Sequence, residues 1–166
     1  MPLDNIQLTP FLIEGLFKKS LVTIEILQSQ AQKQSISSFN ILGKNQKRVA
    51  LIVENSEELY IADNQLNFLL GVLSACKLTM EDVAIINIDK NIGANYKTIE
   101  IELQSEKVIL FGVKPAQIDL PLEFPLYQIQ QYNKQTYIAV ESLHVIQIDK
   151  VEKTKLWNCL KQIFII

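Results

Sequence analysis

A chain of 166 residues is long enough to form one domain with a substantial buried core. Its 16 basic residues stand against 18 acidic ones, the net charge is −2, and Arg48 is the sole arginine. That balance lacks the clustered, arginine-rich footprint of a phosphate-binding face, which argues against autonomous, tight DNA binding.

At the N-terminus, Met1-Pro2-Leu3-Asp4 has neither the basic start nor the apolar run of a signal peptide. No later stretch reaches the roughly 20 apolar residues of a membrane span, so a cytoplasmic protein is expected. Residues 8 to 34 place Leu12, Leu16, Leu21, Ile24 and Leu27 near helical spacing, with Thr9-Pro10 as a start signal. A helical arm over residues 1–34 follows, fraying through the polar run Gln28 to Gln34. Residues 35–47 hold Ser37, Ser38, Asn40, Gly43, Lys44 and Asn45, which is the composition of a linker. The compact domain is then expected over residues 48–166.

Val49 to Val53 is a continuous apolar run, as in a strand buried on both faces. Asp63 or Asn64 can cap a helix carrying Leu66, Leu69, Leu70, Leu73 and Cys76. Thr79 to Asp82 reads as a short capped turn leading into a second buried strand, Val83 to Ile88. Between Asn95 and Ser105, Ile99, Ile101 and Leu103 alternate as in a strand, while Tyr96, Ile99 and Leu103 fit a helix. Helix is the better reading, because two buried parallel strands need a crossover between them. A third strand spans Val108 to Phe111. Lys114 to Pro125, with three prolines, must be loop or turn. Leu126 to Gln130 and Thr136 to Val140 read as a hairpin about Tyr132-Asn133-Lys134. Asp149 to Phe164 forms a last amphipathic helix, with Val151, Leu156, Cys159, Leu160 and Ile163 on one face. The alternation predicts an α/β fold, a three-layer α/β/α sandwich around a mostly parallel sheet.

Ligands of such sheets bind beyond the carboxyl ends of the strands, where the strand order reverses. The loops there are residues 54–63, 89–94, 112–117 and 141–145. The five glycines form neither GxGxxG nor GxxxxGK[ST], so nucleotide binding through those motifs is excluded and no cofactor is implied. His144, the sole histidine, is a candidate general base, but no nucleophile with an orienting carboxylate can be assigned to it; a structural or surface histidine is the plainer reading. One histidine and two distant cysteines suggest no metal site, and Cys76 and Cys159 read as small buried hydrophobes. Glu54, Glu57, Glu58 and Asp63 follow the first strand, where a base or metal ligand would sit, although such carboxylates are commonly solvated. Lys44, Lys47 and Arg48 either touch phosphates or simply lead into that strand. Trp157 packs in the core or at an interface. Phe11, Leu12, Leu16 and Phe17 of the arm either dock on their own domain or enter a partner's groove.

Val108-Ile109-Leu110-Phe111-Gly112, with Ala116-Gln117 and Val140-Glu141-Ser142-Leu143-His144, resembles the C-terminal half of the uracil-DNA glycosylase superfamily. The likeness covers roughly residues 48–164. Active members carry His-Pro-Ser-Pro-Leu where this chain reads Ala139-Val140-Glu141-Ser142-Leu143. They carry Gly-Gln-Asp-Pro-Tyr after the first strand, where this chain reads Glu54-Asn55-Ser56-Glu57-Glu58-Leu59-Tyr60. The family's water-positioning Asp and uracil-stabilising His are thus missing at the matching positions. The resemblance implies a scaffold without glycosylase chemistry, its degenerate site marked by Glu54, Asn55, Glu57, Asn87, Ser142 and His144.

Leu73 to Val83, Phe111-Gly112, Glu141-Ser142-Leu143 and Lys153-Thr154-Lys155-Leu156-Trp157 more closely resemble the psi subunit family of bacterial DNA polymerase III. In that family an N-terminal segment meets the clamp loader and the domain binds chi, which reaches single-strand-binding protein. The segment here is longer and more helical. The resemblance implies a non-enzymatic accessory subunit of replication or repair, with clamp-loader or polymerase subunits as partners; the charge balance already makes direct DNA contact weak or absent. Phe11, Leu12, Leu16, Phe17 and Trp157 are the expected contact residues. The competing classes are a divergent glycosylase-type hydrolase using Glu54 or Glu57 as base, and an orphan protein-binding domain. A pocket joining Glu54, Asn87 and residues 141–144 would favour the enzyme, and a filled or flat crevice the interaction module.

Overall fold

In the computed structural model, residues 39–166 are described; the expected helical arm, with Phe11, Leu12, Leu16 and Phe17, lies outside them. The described chain is a mixed α/β fold with six strands and four helices. In order these are β1 (Ile41–Gly43), β2 (Val49–Val53), α1 (Asp63–Ala75), β3 (Val83–Asn87), α2 (Tyr96–Leu103), β4 (Lys107–Phe111), β5 (Ile129–Tyr132), β6 (Gln135–Val140), α3 (Leu143–Ile148) and α4 (Lys150–Phe164). Short 3-10 turns occupy Ile88–Lys90 and Pro115–Ile118.

The six strands form one sheet in the order β1-β3-β2-β4-β6-β5. The inner pairs β3–β2, β2–β4 and β4–β6 are parallel, and β1 and β5 pair antiparallel at the two edges. Every residue of β2 and β3 is buried, because side chains of both parities are covered. Val49, Leu51, Val53, Val83, Ile85, Ile109 and Phe111 pack with Leu69 and Leu73 of α1, Leu143 and Ile146 of α3, and Leu156 and Leu160 of α4. The alternate residues Ala50, Ile52, Ala84, Ile86, Val108 and Leu110 pack with Ile99 and Leu103 of α2, Ile118, Leu120 and Phe39. The two-residue period of the strands thus distributes one apolar run between two cores.

Several expectations hold. Asn95 begins α2 with a reciprocal capping box to Thr98. Thr79 donates its backbone N–H to Asp82 Oδ2 at 2.8 Å and its hydroxyl to the same atom at 3.1 Å, closing the turn before β3. The β5–β6 hairpin turns through Asn133 and Lys134, both at positive φ as a two-residue primed turn requires. Asn133 Nδ2 then donates to Glu100 of α2 at 2.7 Å, fastening the hairpin tip. Cys76 and Cys159 are free and buried, and burial raises both thiol pKa values.

Other expectations are corrected. The stretch 35–47 is not all linker: Ile41–Gly43 pairs with β3, Phe39 is buried, and Asn45, Gln46 and Lys47 donate backbone hydrogen bonds to residues 81–83. The domain therefore starts before Arg48. Neither Asp63 nor Asn64 caps α1; its N-cap is Ala62, without a side-chain bond, and Asp63 lies in the first turn. Residues 141–145, expected as a loop, enter the separate helix α3 at Leu143, and Asp149 caps α4 by accepting from Val151 N at 2.7 Å. Val151 is 60% exposed rather than on the buried face. Strand β5 begins at Ile129, three residues later than expected, because Tyr127 takes positive φ just before it. Among the described residues, no helix is long and apolar enough to cross a membrane.

Candidate functional site

The chain runs from β2 out to β3, then returns past β2 to β4 and on to β6, so the strand order reverses between β2 and β4. A crevice of about 640 Å³ opens beyond the carboxyl ends of these two strands. Glu54, Asn55 and Glu57 line it from the loop after β2, Asp89 from the turn after β3, and Ser142 and His144 from the start of α3. Phe111, at the end of β4, also lines it.

The wall after β2 is built by asparagines. Asn55 Oδ1 accepts from the N–H groups of Glu57 at 2.9 Å and Glu58 at 3.1 Å, which curls the loop. Asn87, fully buried at the end of β3, anchors that curl. Its Oδ1 accepts from Asn55 N at 3.0 Å and Asp89 N at 3.2 Å, and its Nδ2 donates to Asn55 O at 2.7 Å and Glu58 O at 2.9 Å. Asn91 continues the network, donating to Asn87 O at 2.7 Å and accepting from Asn40 N at 2.6 Å. Lys90 Nζ donates to Ser56 O at 2.7 Å. The loop shape is therefore set by amide-to-backbone bonds that leave the carboxylates outside.

The structure brings five of the six expected site residues to the crevice. Asn87 is the exception: its amide is consumed by loop backbone, and it does not line the cavity. Glu54, Glu57, Asp89 and His144 are exposed. Among the described residues, their side chains share no hydrogen bond or ion pair with one another or with Ser142. A nucleophile–base–orienter chain is held by such bonds, so the residues meet without forming one. Ser142 caps α3 through a long 3.5 Å bond from Val145 N. Among the described residues, no three His, Cys, Asp or Glu side chains are grouped to hold a metal ion.

Gly112 and Ser142 meet for a steric reason. Gly112 has φ +69°, and a Cβ there would lie 2.9 Å from Ser142 Cβ. Gly112 lines a second cavity of about 430 Å³, shared with Pro115, Phe124, Leu126 and Val140. The basic cluster is engaged at the opposite end of the sheet: Lys44 pairs with Glu81 at 2.5 Å, Lys47 with Asp82 at 3.3 Å and Arg48 with Glu106 at 3.2 Å.

Trp157 is half-buried on α4 and lines a groove of about 280 Å³ between α4 and α1. Phe68, Gly71, Val72 and Ala75 form the α1 wall. Sequence reading singled out Trp157 but missed that wall, although Phe68, Val72 and Ala75 recur at i, i+4 and i+7, the spacing of a second apolar helix face. It named the 89–94 loop without singling out Asp89 as a crevice residue or Asn91 as a network residue. No protein-family model matches the chain, and no curated protein matches it.

Proposed function

We propose that the chain is a non-enzymatic protein-interaction module with the three-layer α/β/α arrangement of the glycosylase superfamily, serving as a psi-like accessory subunit of cytoplasmic replication or repair machinery. The observation that carries this reading is the spent amide of Asn87. The buried polar side chain that ends β3 is committed to loop backbone, and the acidic groups and His144 around it stand in solvent. Catalytic acids and bases need fixed mutual geometry, and nothing here fixes it. An acidic crevice and a basic cluster already paired with carboxylates both disfavour a phosphate backbone, consistent with weak or absent DNA contact. Contact instead falls to apolar surface, of which the Trp157 groove is one described part.

The test is recovery of clamp-loader or polymerase subunits from a native extract by the tagged full-length chain, beside a version lacking residues 1–34. Recovery with the full-length chain alone assigns that contact to the arm. Recovery with neither overturns the replication role.

The crevice itself favours a second reading, a glycosylase-type hydrolase with Glu54 or Glu57 as base, because five of the expected residues do line one cavity. Uracil release from DNA, abolished by Glu54→Gln or Glu57→Gln, would establish it.

A further inference from the structure

The groove between α1 and α4 has features that the described residues do not use. Gly71 stands in the middle of α1, exposed, and a Cβ placed there would meet no atom of the described residues within 4 Å. A glycine inside a helix costs about 1 kcal/mol relative to alanine, and neither positive φ nor a close contact with the described residues demands one here. What it leaves is room for another backbone to approach the floor between Phe68, Val72 and Ala75.

The α4 rim is cationic. Lys153 Nζ lies 5.7 Å from the Phe68 ring centre, and Lys161 Nζ lies 5.5 Å from that of Trp157. Neither ammonium has a carboxylate partner among the described residues, whereas Lys155 on the same helix is paired with Glu152 at 2.7 Å. Two unpaired cations thus lean over the aromatic residues of an apolar groove. They are eight residues apart, which is about 12 Å along the helix.

We propose that this groove receives one amphipathic helix of another protein, carrying an apolar stripe and two acidic residues about eight positions apart that face Lys153 and Lys161. The apolar stripe covers Phe68, Val72 and Trp157, its backbone comes closest at Gly71, and its carboxylates pair with the two ammoniums. The charge of the rim selects the partner and its direction, and the apolar floor supplies the affinity. The inference rests on the reading of the chain as an interaction module.

Trp157 is the sole tryptophan, so emission of the full-length chain reports directly on the groove. The probes are two synthetic helical peptides of about 20 residues with one leucine stripe, flanked at the two matching positions by Glu in one and by Lys in the other. The Glu peptide should shift Trp157 emission to the blue and bind about tenfold more tightly than the Lys peptide, a preference the double variant K153E/K161E should reverse. Gly71→Gln, a substitution favourable to the helix, should leave the fold intact and abolish the response. Equal binding of both peptides, no emission change, or binding that survives Gly71→Gln would overturn the proposal. So would an emission shift that follows the concentration of the chain alone, which would assign the groove to a second copy, or a Trp157 already shielded at high dilution, which would mean that the chain fills the groove itself. Peptide binding without recovery of replication subunits would overturn the replication role and leave the groove assignment standing; the converse would overturn the groove alone.

Discussion

The crevice beyond β2 and β4 and the groove between α1 and α4 are made in opposite ways. The crevice is polar at its rim and held in shape from behind, by Asn87 and Asn91 bonding to backbone, so its shape depends on buried amides and its carboxylates contribute little to the fold. The groove is apolar at its floor, where Phe68, Val72 and Trp157 rest on the core, and its charges sit on the rim. Position in a fold says where a ligand would bind, whereas the wiring behind the position says what can happen there. The crevice has the position, and among the described residues its ionisable side chains share no hydrogen bond or ion pair with one another.

The sharpest challenge to this contrast is Asn87→Ala. It should lower stability by about 3 kcal/mol, because the buried amide ties five part-buried backbone groups of the 55–59 loop and Asp89, and all of them lose their partner. A loss below about 1 kcal/mol in urea denaturation would mean that the asparagine network does not hold the crevice. Gly112→Ala should cost about 2 kcal/mol, since it meets both a left-handed φ and the Ser142 contact. Gly71→Ala, in the groove, should have the opposite sign and raise stability by about 1 kcal/mol, visible as a higher thermal midpoint. If both glycine variants destabilise, the groove is not open at Gly71.

Acid sensitivity should arise away from both cavities. Backbone hydrogen bonding from Thr79, aided by Lys47, holds the Asp82 carboxyl below the usual carboxylate range. Its folded pKa is depressed, so its contribution is complete above the unfolded value and is lost as pH falls through the folded one. Urea midpoints measured at neutral pH and at about pH 3 should lie closer together for Asp82→Asn than for the parent chain. The smallest effects belong to the crevice rim: Glu54→Gln and His144→Ala should each change stability by less than about 0.5 kcal/mol, since both side chains are exposed and unpaired among the described residues. A larger loss would show that these groups are wired into the fold.

Element by element, the apolar pattern alone was enough wherever burial is complete. Val49 to Val53 and Val83 to Ile88 read as strands buried on both faces, and β2 and β3 lie there; the turn about Asn133 is local chemistry, while α2 was legible only through the need for a crossover. The loops holding Glu54, Ser142 and His144 were likewise legible, because the ends of parallel strands are where sheet order reverses. What local pattern did not settle was everything fixed by a distant partner. Ile41–Gly43 has loop composition and becomes a strand because β3 offers an open edge. Val151 is a separate case: five residues before Leu156, it lies about 140° round the helix from it, so the helical period itself turns it outward. Asn87 looks like a site residue and is a structural tie, since only the folded loop places Asn55 and Glu58 against its amide. Sequence by itself determined the α/β class and the inner strands, because hydrophobic periodicity is local; the edge strand, the use of Asn87 and the α1–α4 groove were decided by tertiary structure, because each depends on residues that only folding brings into contact.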